Sequence, residues 1–340
     1  MDGDRMSTIL GFLAALIVLS IVVWFIGVDD VLSALGGANT SVVVLIVGVA
    51  AVWLSAWGLA LWQVLGAIGS PVRAPKAVFV FSAAVFSNNV TPFGQAGGEP
   101  ISALLISTAA DSEYETGLAA IASVDTLHFV PSVGFSIIGF TFVLADAARL
   151  TRNVVVAAVG AAVLVAVIPT AATLGWRYQD RVEAVLVRVV TPVVSLLGRA
   201  VPGRSPPTAA DIEQRIEGFL GAVGRVASNP RTLVIAMGFS AVGWLALSLS
   251  LWLSLYALGY SVPFTATLFV VPVGSIAGAT PLPGGLGGLE AAFIALLIPT
   301  AGVSASVATA GVLIHRGATY WLPTLFGGGA AAVLGARARR

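Results

Sequence analysis

Long apolar stretches alternate with short polar ones along the whole chain. A bilayer span needs about 20 apolar residues. Six stretches reach that length, at residues 7–27, 40–68, 117–145, 153–176, 231–258 and 305–333. Two further apolar regions, 76–110 and 265–299, are interrupted near their middles by Pro/Gly clusters. The pieces on either side suit half-helices better than full crossings. The pattern predicts an all-α polytopic membrane protein with six transmembrane helices plus two re-entrant helical hairpins.

Composition supports the membrane assignment. Hydrophobic residues make up 58% of the chain and charged residues 10%, against roughly 25% charged in soluble domains. The absence of cysteine excludes disulfides, thiolate metal sites and cysteine nucleophiles. Two histidines argue against a zinc centre, and neither a cofactor nor a nucleic-acid partner is expected. The charged lead from Asp2 to Arg5 could pass for the start of a signal peptide. No small-residue cleavage site follows, so a retained first helix is expected.

Basic residues set the orientation. With both interrupted regions as hairpins and the N-terminus in the cytoplasm, the cytoplasmic side holds Arg5, Arg73, Lys76, the arginines of loop 177–230 with Arg231, and Arg337, Arg339 and Arg340. The opposite side holds only Arg149 and Arg152, a strong positive-inside bias. If both regions crossed fully, the arginine-rich loop would fall outside. The hairpin arrangement gives the order helix, helix, hairpin, helix twice over, in opposite senses. That is an inverted-topology repeat, a pattern shared by many transporters. The first repeat spans 1–147 with hairpin 76–110. The second spans 148–340 with loop 177–230 and hairpin 265–299. Within the loop, residues 201–207 read as a linker. Thr208 and Asp211 form a capping-box variant before Ile212, Ile216, Phe219 and Val223, which share one helical face. A surface-lying amphipathic helix and a plain basic tether both fit.

The hairpin tips resemble each other. Residues 91–100 read TPFGQAGGEP and residues 280–290 read TPLPGGLGGLE, with two residues more between the threonine and the glutamate in the second. The candidate residues of the first tip are Asn88, Asn89, Thr91, Pro92, Gly94, Gln95, Gly97, Gly98 and Glu99. Those of the second are Thr280, Pro281, Pro283, Gly284, Gly285, Gly287, Gly288 and Glu290. A broken helix at membrane depth is tolerated only inside protein or beside a wet cavity. Two half-helices meeting there aim their N-terminal dipoles at one place and favour an anion. Polar groups in lipid cost about 2.5 to 3.5 kcal/mol each when charged, which adds Asp125, His128, Arg316 and Tyr320 to the candidates. Arg316 can grip a phosphate bidentately. Structural readings stand beside these. Glu99 and Glu290 suit helix caps, Asp125 and Arg316 can neutralise each other, and His128 and His315 can be hydrogen-bonded core residues.

These tips, with HRGATYWLP at 315–323, resemble the transmembrane region of lysylphosphatidylglycerol synthases, a flippase-like family. The resemblance carries Gly97, Gly98, Glu99 and Pro100; Pro283, Gly284, Gly285, Gly287 and Glu290; and Arg316, Tyr320, Trp321 and Pro323. Asp125 matches the acidic residue of the family's third-span motif, although Ser123 and Val124 replace the Glu-Arg that often precedes it. It implies movement of a lipid with an anionic head group, a phospholipid or polyprenyl-linked lipid, between leaflets of the plasma membrane. No aminoacyl transferase domain is expected in this chain, and lipid lysylation is not expected of it; no catalytic constellation suggests an enzyme. Two other readings are a small-solute or ion transporter, and a non-transporting partner of a glycosyltransferase or lipid synthase. The sequence leaves the oligomeric state open.

Overall fold

The computed structural model describes residues 28–91, 94–145, 209–278 and 280–338, together with isolated positions 24, 152, 155, 156, 159 and 177. Among the described residues every regular element is a helix. The expected spans at 7–27 and 153–176 lie outside them apart from those isolated positions, as does the linker at 201–207.

Eleven α-helices carry the described fold. The short α1 (Val28–Gly36) precedes α2 (Thr40–Ile68), whose first turn is capped by Asn39 Oδ1, accepting from the amides of Ser41 and Val42. The first hairpin is α3 (Ala74–Val90) and α4 (Gln95–Ala110), followed by α5 (Tyr114–Leu144). After α6 (Ala209–Ala227) come α7 (Pro230–Ala257) and the second hairpin, α8 (Phe264–Ser275) and α9 (Gly288–Ala301). Between these arms lie 3₁₀ turns at Ile276–Gly278 and Pro283–Gly285. The last helix is continuous from α10 (Ala305–Arg316) through a π-helical segment, Gly317–Trp321, into α11 (Leu322–Ala338).

Four helices among the described residues are long and apolar enough to cross a bilayer: α2, α5, α7 and the stretch Pro283–Ala301. The fourth is only partly α-helix. Its regular portion, α9, has 14 residues, a length of about 21 Å against a hydrocarbon core of about 30 Å. The 16 residues of α4 reach about 24 Å. Large apolar side chains such as Val44, Phe129, Ile137, Phe142 and Leu325 point outward, the surface a lipid solvent tolerates.

Helix α2 packs most extensively on α7, and the two run antiparallel, since the Asn39 amide donates to the Ala257 carbonyl at 2.8 Å. Arg225 Nε of α6 donates to the Ile68 carbonyl at 3.0 Å, and Arg215 pairs with Glu115 at 2.8 Å. One end of the bundle therefore gathers α6, the end of α2 and the starts of α5 and α7. The first hairpin opens toward that end, between Ile68 and Tyr114. The second opens toward the other, between Ala257 and Ala305. Their packing corresponds arm by arm. α3 lies on α2 and α11, as α8 lies on α7 and α5; α4 lies on α5, as α9 lies on α10. Glycines set two of these approaches. Gly139 of α5 faces the backbone of Thr265 and Phe269, and Gly327 of α11 faces that of Ser82.

Helix α6 matches the predicted amphipathic segment. Ala222 and Val226 are buried, Phe219 and Val223 pack on the core, and Glu213, Gln214, Arg215 and Glu217 are exposed.

Candidate functional site at the meeting of the hairpin tips

The two tips touch in the interior. A Cβ on Gly94 would lie 3.6 Å from the Gly278 carbonyl oxygen and 3.7 Å from Gly284 Cα. Gly94 has φ 53° and ψ −117°, a conformation glycine adopts without Cβ strain. It starts α4, while Gly287 starts α9. The N-termini of both second arms thus converge, and their free amides and dipoles favour negative charge there.

Glu290 and Arg316 form the charged centre of the second tip. Glu290 is 2% exposed. Its Oε1 accepts from Arg316 Nε at 2.6 Å, and its Oε2 accepts from the Gly287 amide at 2.5 Å. It is both the cap of α9 and the counter-ion of the arginine. Arg316 Nη2 also donates to the Gly284 carbonyl at 3.4 Å, and the guanidinium lies 4.5 Å from the Tyr320 ring centroid, within cation–π range. Arg316 therefore neutralises Glu290 within its own half, where the alternative reading had paired it with Asp125. Gly285, with φ 67°, is pressed against Gly278, and buried Pro283 starts the 3₁₀ turn.

Tyr320 bolts the second tip to the first. Fully buried, it donates from Oη to the Asn89 carbonyl at 3.0 Å. Asn89 Nδ2 donates to Thr324 Oγ1 at 2.8 Å and to the Tyr320 carbonyl at 3.4 Å. The π-helical turn lies here because Pro323 has no N–H to continue the α pattern. The Leu322 amide instead reaches the Gly317 carbonyl. Single-turn π segments concentrate at functional sites.

In the first tip, Gly98 permits close contact between the arms, since a Cβ there would lie 2.6 Å from Asn88 Cα. Serines stitch the same surface: Ser87 Oγ and Ser102 Oγ are 2.9 Å apart, and Ser102 Oγ donates to the Gly98 carbonyl at 3.0 Å and to Asn88 Oδ1 at 3.5 Å. Thr91 Oγ1 donates to the Ser87 carbonyl at 2.6 Å. The side chains of Glu99 and Asp125 approach each other, with Gln95 beside Asp125. Gly97 lies half-buried in the first turn of α4, and Pro92 is outside the described residues.

Other candidates separate from this centre. His128 turns away from Asp125; its Nδ1 lies 2.8 Å from Ser240 Oγ, and its ring stacks on Trp57 at 4.0 Å. His315 lies 2.9 Å from Ser250 Oγ. Both match the core reading. Pro281 is exposed, whereas Thr280 packs on Gly288 with its Oγ1 buried and unpartnered. Ser87, Ser102 and Thr324 were not singled out from the sequence, where hydroxyl residues are too common in membrane helices to mark a site. The proline four places before a glycine triplet, Pro323 ahead of Gly327, Gly328 and Gly329, was the available signal for an irregular last helix.

Comparison with known proteins agrees with the sequence patterns. The family model described as the lysylphosphatidylglycerol synthase TM region matches residues 9–327. A UPF0104 membrane protein of Methanothermobacter thermautotrophicus is 26% identical over 333 residues, covering 95% of this chain and 92% of its own. Another, from Pyrococcus horikoshii, is 23% identical over 315 residues and covers 91% of each chain.

Proposed function

As the chain belongs to the lysylphosphatidylglycerol synthase transmembrane-region family and is a multi-pass membrane protein, we propose that it is a lipid translocase, moving an anionic phospholipid or polyprenyl-linked lipid between leaflets. The observation that carries this reading is Arg316, held at the meeting point of two helix N-termini with a carboxylate as its counter-ion. A lipid phosphate offers the same chemistry as that carboxylate, in a geometry that suits a guanidinium better. Exchange of Glu290 for phosphate on Arg316 would free the cap of α9 and loosen the second tip from the first. The acyl tails would stay in the bilayer.

In this reading the hairpins are re-entrant, the halves form an inverted-topology repeat, and the tips act as gates opening on opposite faces. The termini and α6 face the cytoplasm of a plasma-membrane protein, following the positive-inside distribution. The protein does no covalent chemistry of its own. A lipid- or glycan-synthesis enzyme would supply its cargo.

The test is exchange of tail-labelled phosphatidylglycerol across vesicles containing the purified full chain, read by quenching of the outer leaflet. Acceleration over protein-free vesicles, lost in Arg316→Ala, is expected. No acceleration with phosphatidylglycerol or any other anionic lipid class would overturn the proposal. Uptake of a soluble anion without lipid exchange would favour a solute transporter.

A further inference from the structure

Asp125 follows Glu99 by the same 26 residues that separate Arg316 from Glu290. Each pair joins the start of a hairpin's second arm to the helix that follows. One place in the fold thus holds acid against base in the second half and acid against acid in the first. The side chains of Glu99 and Asp125 lie within reach of each other, and a hydrogen bond between two carboxyl groups requires a proton on one of them. Asp125 Oδ2 is closed off from solvent and has no hydrogen-bond partner among the described residues. Two ionised carboxylates at contact in such surroundings repel by several kcal/mol.

A cation would relieve that repulsion, but among the described residues the packed helices bring none to the pair. Helices α2 and α8 contain no ionisable side chain. Helix α3 has only Lys76, in its first turn, and α7 has only Arg231 and Tyr256, near its ends. Helix α11 has only Arg337, in its last turn. On α5, Tyr114 lies within electrostatic reach of Glu99, Glu115 is engaged by Arg215 of α6, and His128 faces Ser240. Arg225 of α6 bonds the Ile68 carbonyl.

We propose that Glu99 and Asp125 share a single proton and form the site that couples lipid movement to a proton gradient. Where the second half neutralises its buried carboxylate with a guanidinium, the first half does so with an exchangeable proton. Only an O–H bond forms or breaks. The proton enters from water on one side of the membrane and leaves to water on the other. Its loss leaves two like charges that push α4 from α5. The coupling rests on the translocase reading; the proton site does not.

Infrared difference spectra of the full chain in lipid nanodiscs separate the two. At neutral pH the wild type is expected to show a protonated-carboxyl C=O band that disappears on alkaline titration. Glu99→Gln and Asp125→Asn should each abolish the band, and Glu290→Gln should keep it. A wild type without the band, or a band untouched by both first-half variants, would overturn the site whether or not lipid moves. In the vesicle assay with labelled phosphatidylglycerol, one imposed pH unit should shift the steady-state leaflet ratio about tenfold for one coupled proton. Exchange that ignores the pH gradient, or follows a sodium gradient instead, would overturn the coupling. Absence of any exchange beside an intact band would sink the translocase reading alone.

Discussion

The arms of the first hairpin end at Val90 and resume at Gln95, whereas those of the second end at Ser275 and resume at Gly288, with two 3₁₀ turns between them. The arms of the first are stitched to each other by Ser87, Ser102 and the close approach at Gly98. The tip of the second is held from outside itself. Arg316 reaches Glu290 and the Gly284 carbonyl from the last helix, and Tyr320 links that helix to Asn89. The first hairpin therefore carries its own cohesion, while the second depends on a residue a ligand can compete for. A phosphate on Arg316 would act on the second tip and leave the first intact, which assigns the two hairpins unequal shares of any motion.

The sharpest way to break that comparison is to remove each half's charged partner. Arg316→Ala leaves Glu290 buried without a counter-ion. It is expected to cost about 3–5 kcal/mol of stability and to abolish lipid exchange. Its counterpart, Glu99→Gln, keeps a neutral hydrogen-bonding group beside Asp125 and is expected to change stability by no more than about 0.5 kcal/mol. Equilibrium unfolding in mixed micelles, followed by tryptophan fluorescence, measures both. Equal losses in the two variants would show that the halves are held alike.

The sequence made some of this legible and hid the rest for physical reasons. Spans at 40–68, 117–145 and 231–258 agree with α2, α5 and α7 to within three residues, because length and apolarity alone define a helix in lipid. Glu290 and Arg316 stood out because buried charge is expensive. That they pair with each other was not legible, since the pairing depends on how the second tip folds back toward the last helix. The π-helical turn was hidden because Pro323 predicts a break without predicting its form. That His128 and Asp125 point to different neighbours was not legible, because residues three apart on a helix share a face only approximately. The structure turns one toward α7 and the other toward α4.

The next effect is steric and tests both tips together. Gly98→Val places side-chain atoms in the Asn88 backbone, and Gly285→Ala places a Cβ 2.7 Å from Gly278 Cα at a positive φ of 67°. Each is expected to cost about 1–3 kcal/mol, whereas Gly329→Ala, with open space around it, should be neutral. The same unfolding measurement ranks the three. In the vesicle assay Gly285→Ala should impair exchange more than its stability loss explains, because it disturbs the tip that is proposed to move. A larger loss of exchange in Gly98→Val would reverse the assignment of the mobile hairpin.

The smallest effect probes the bolt between the tips. Tyr320→Phe keeps the ring over Arg316 and removes only the hydroxyl that donates to the Asn89 carbonyl at 3.0 Å. A single neutral hydrogen bond contributes about 0.5–1.5 kcal/mol net, and that carbonyl would lose its side-chain donor. Tyr320→Leu removes the cation–π contact as well, worth about 2 kcal/mol when desolvated, and empties part of a fully buried site. The difference between the two variants therefore separates the contact across the tips from the ring's grip on the arginine. If the tips must part during each cycle, Tyr320→Phe should lower stability slightly while lipid exchange stays constant or quickens, since one bond fewer closes the gate. Slower exchange at unchanged stability would instead place the hydroxyl on the lipid, and the contact with Asn89 would be a resting arrangement of a binding group.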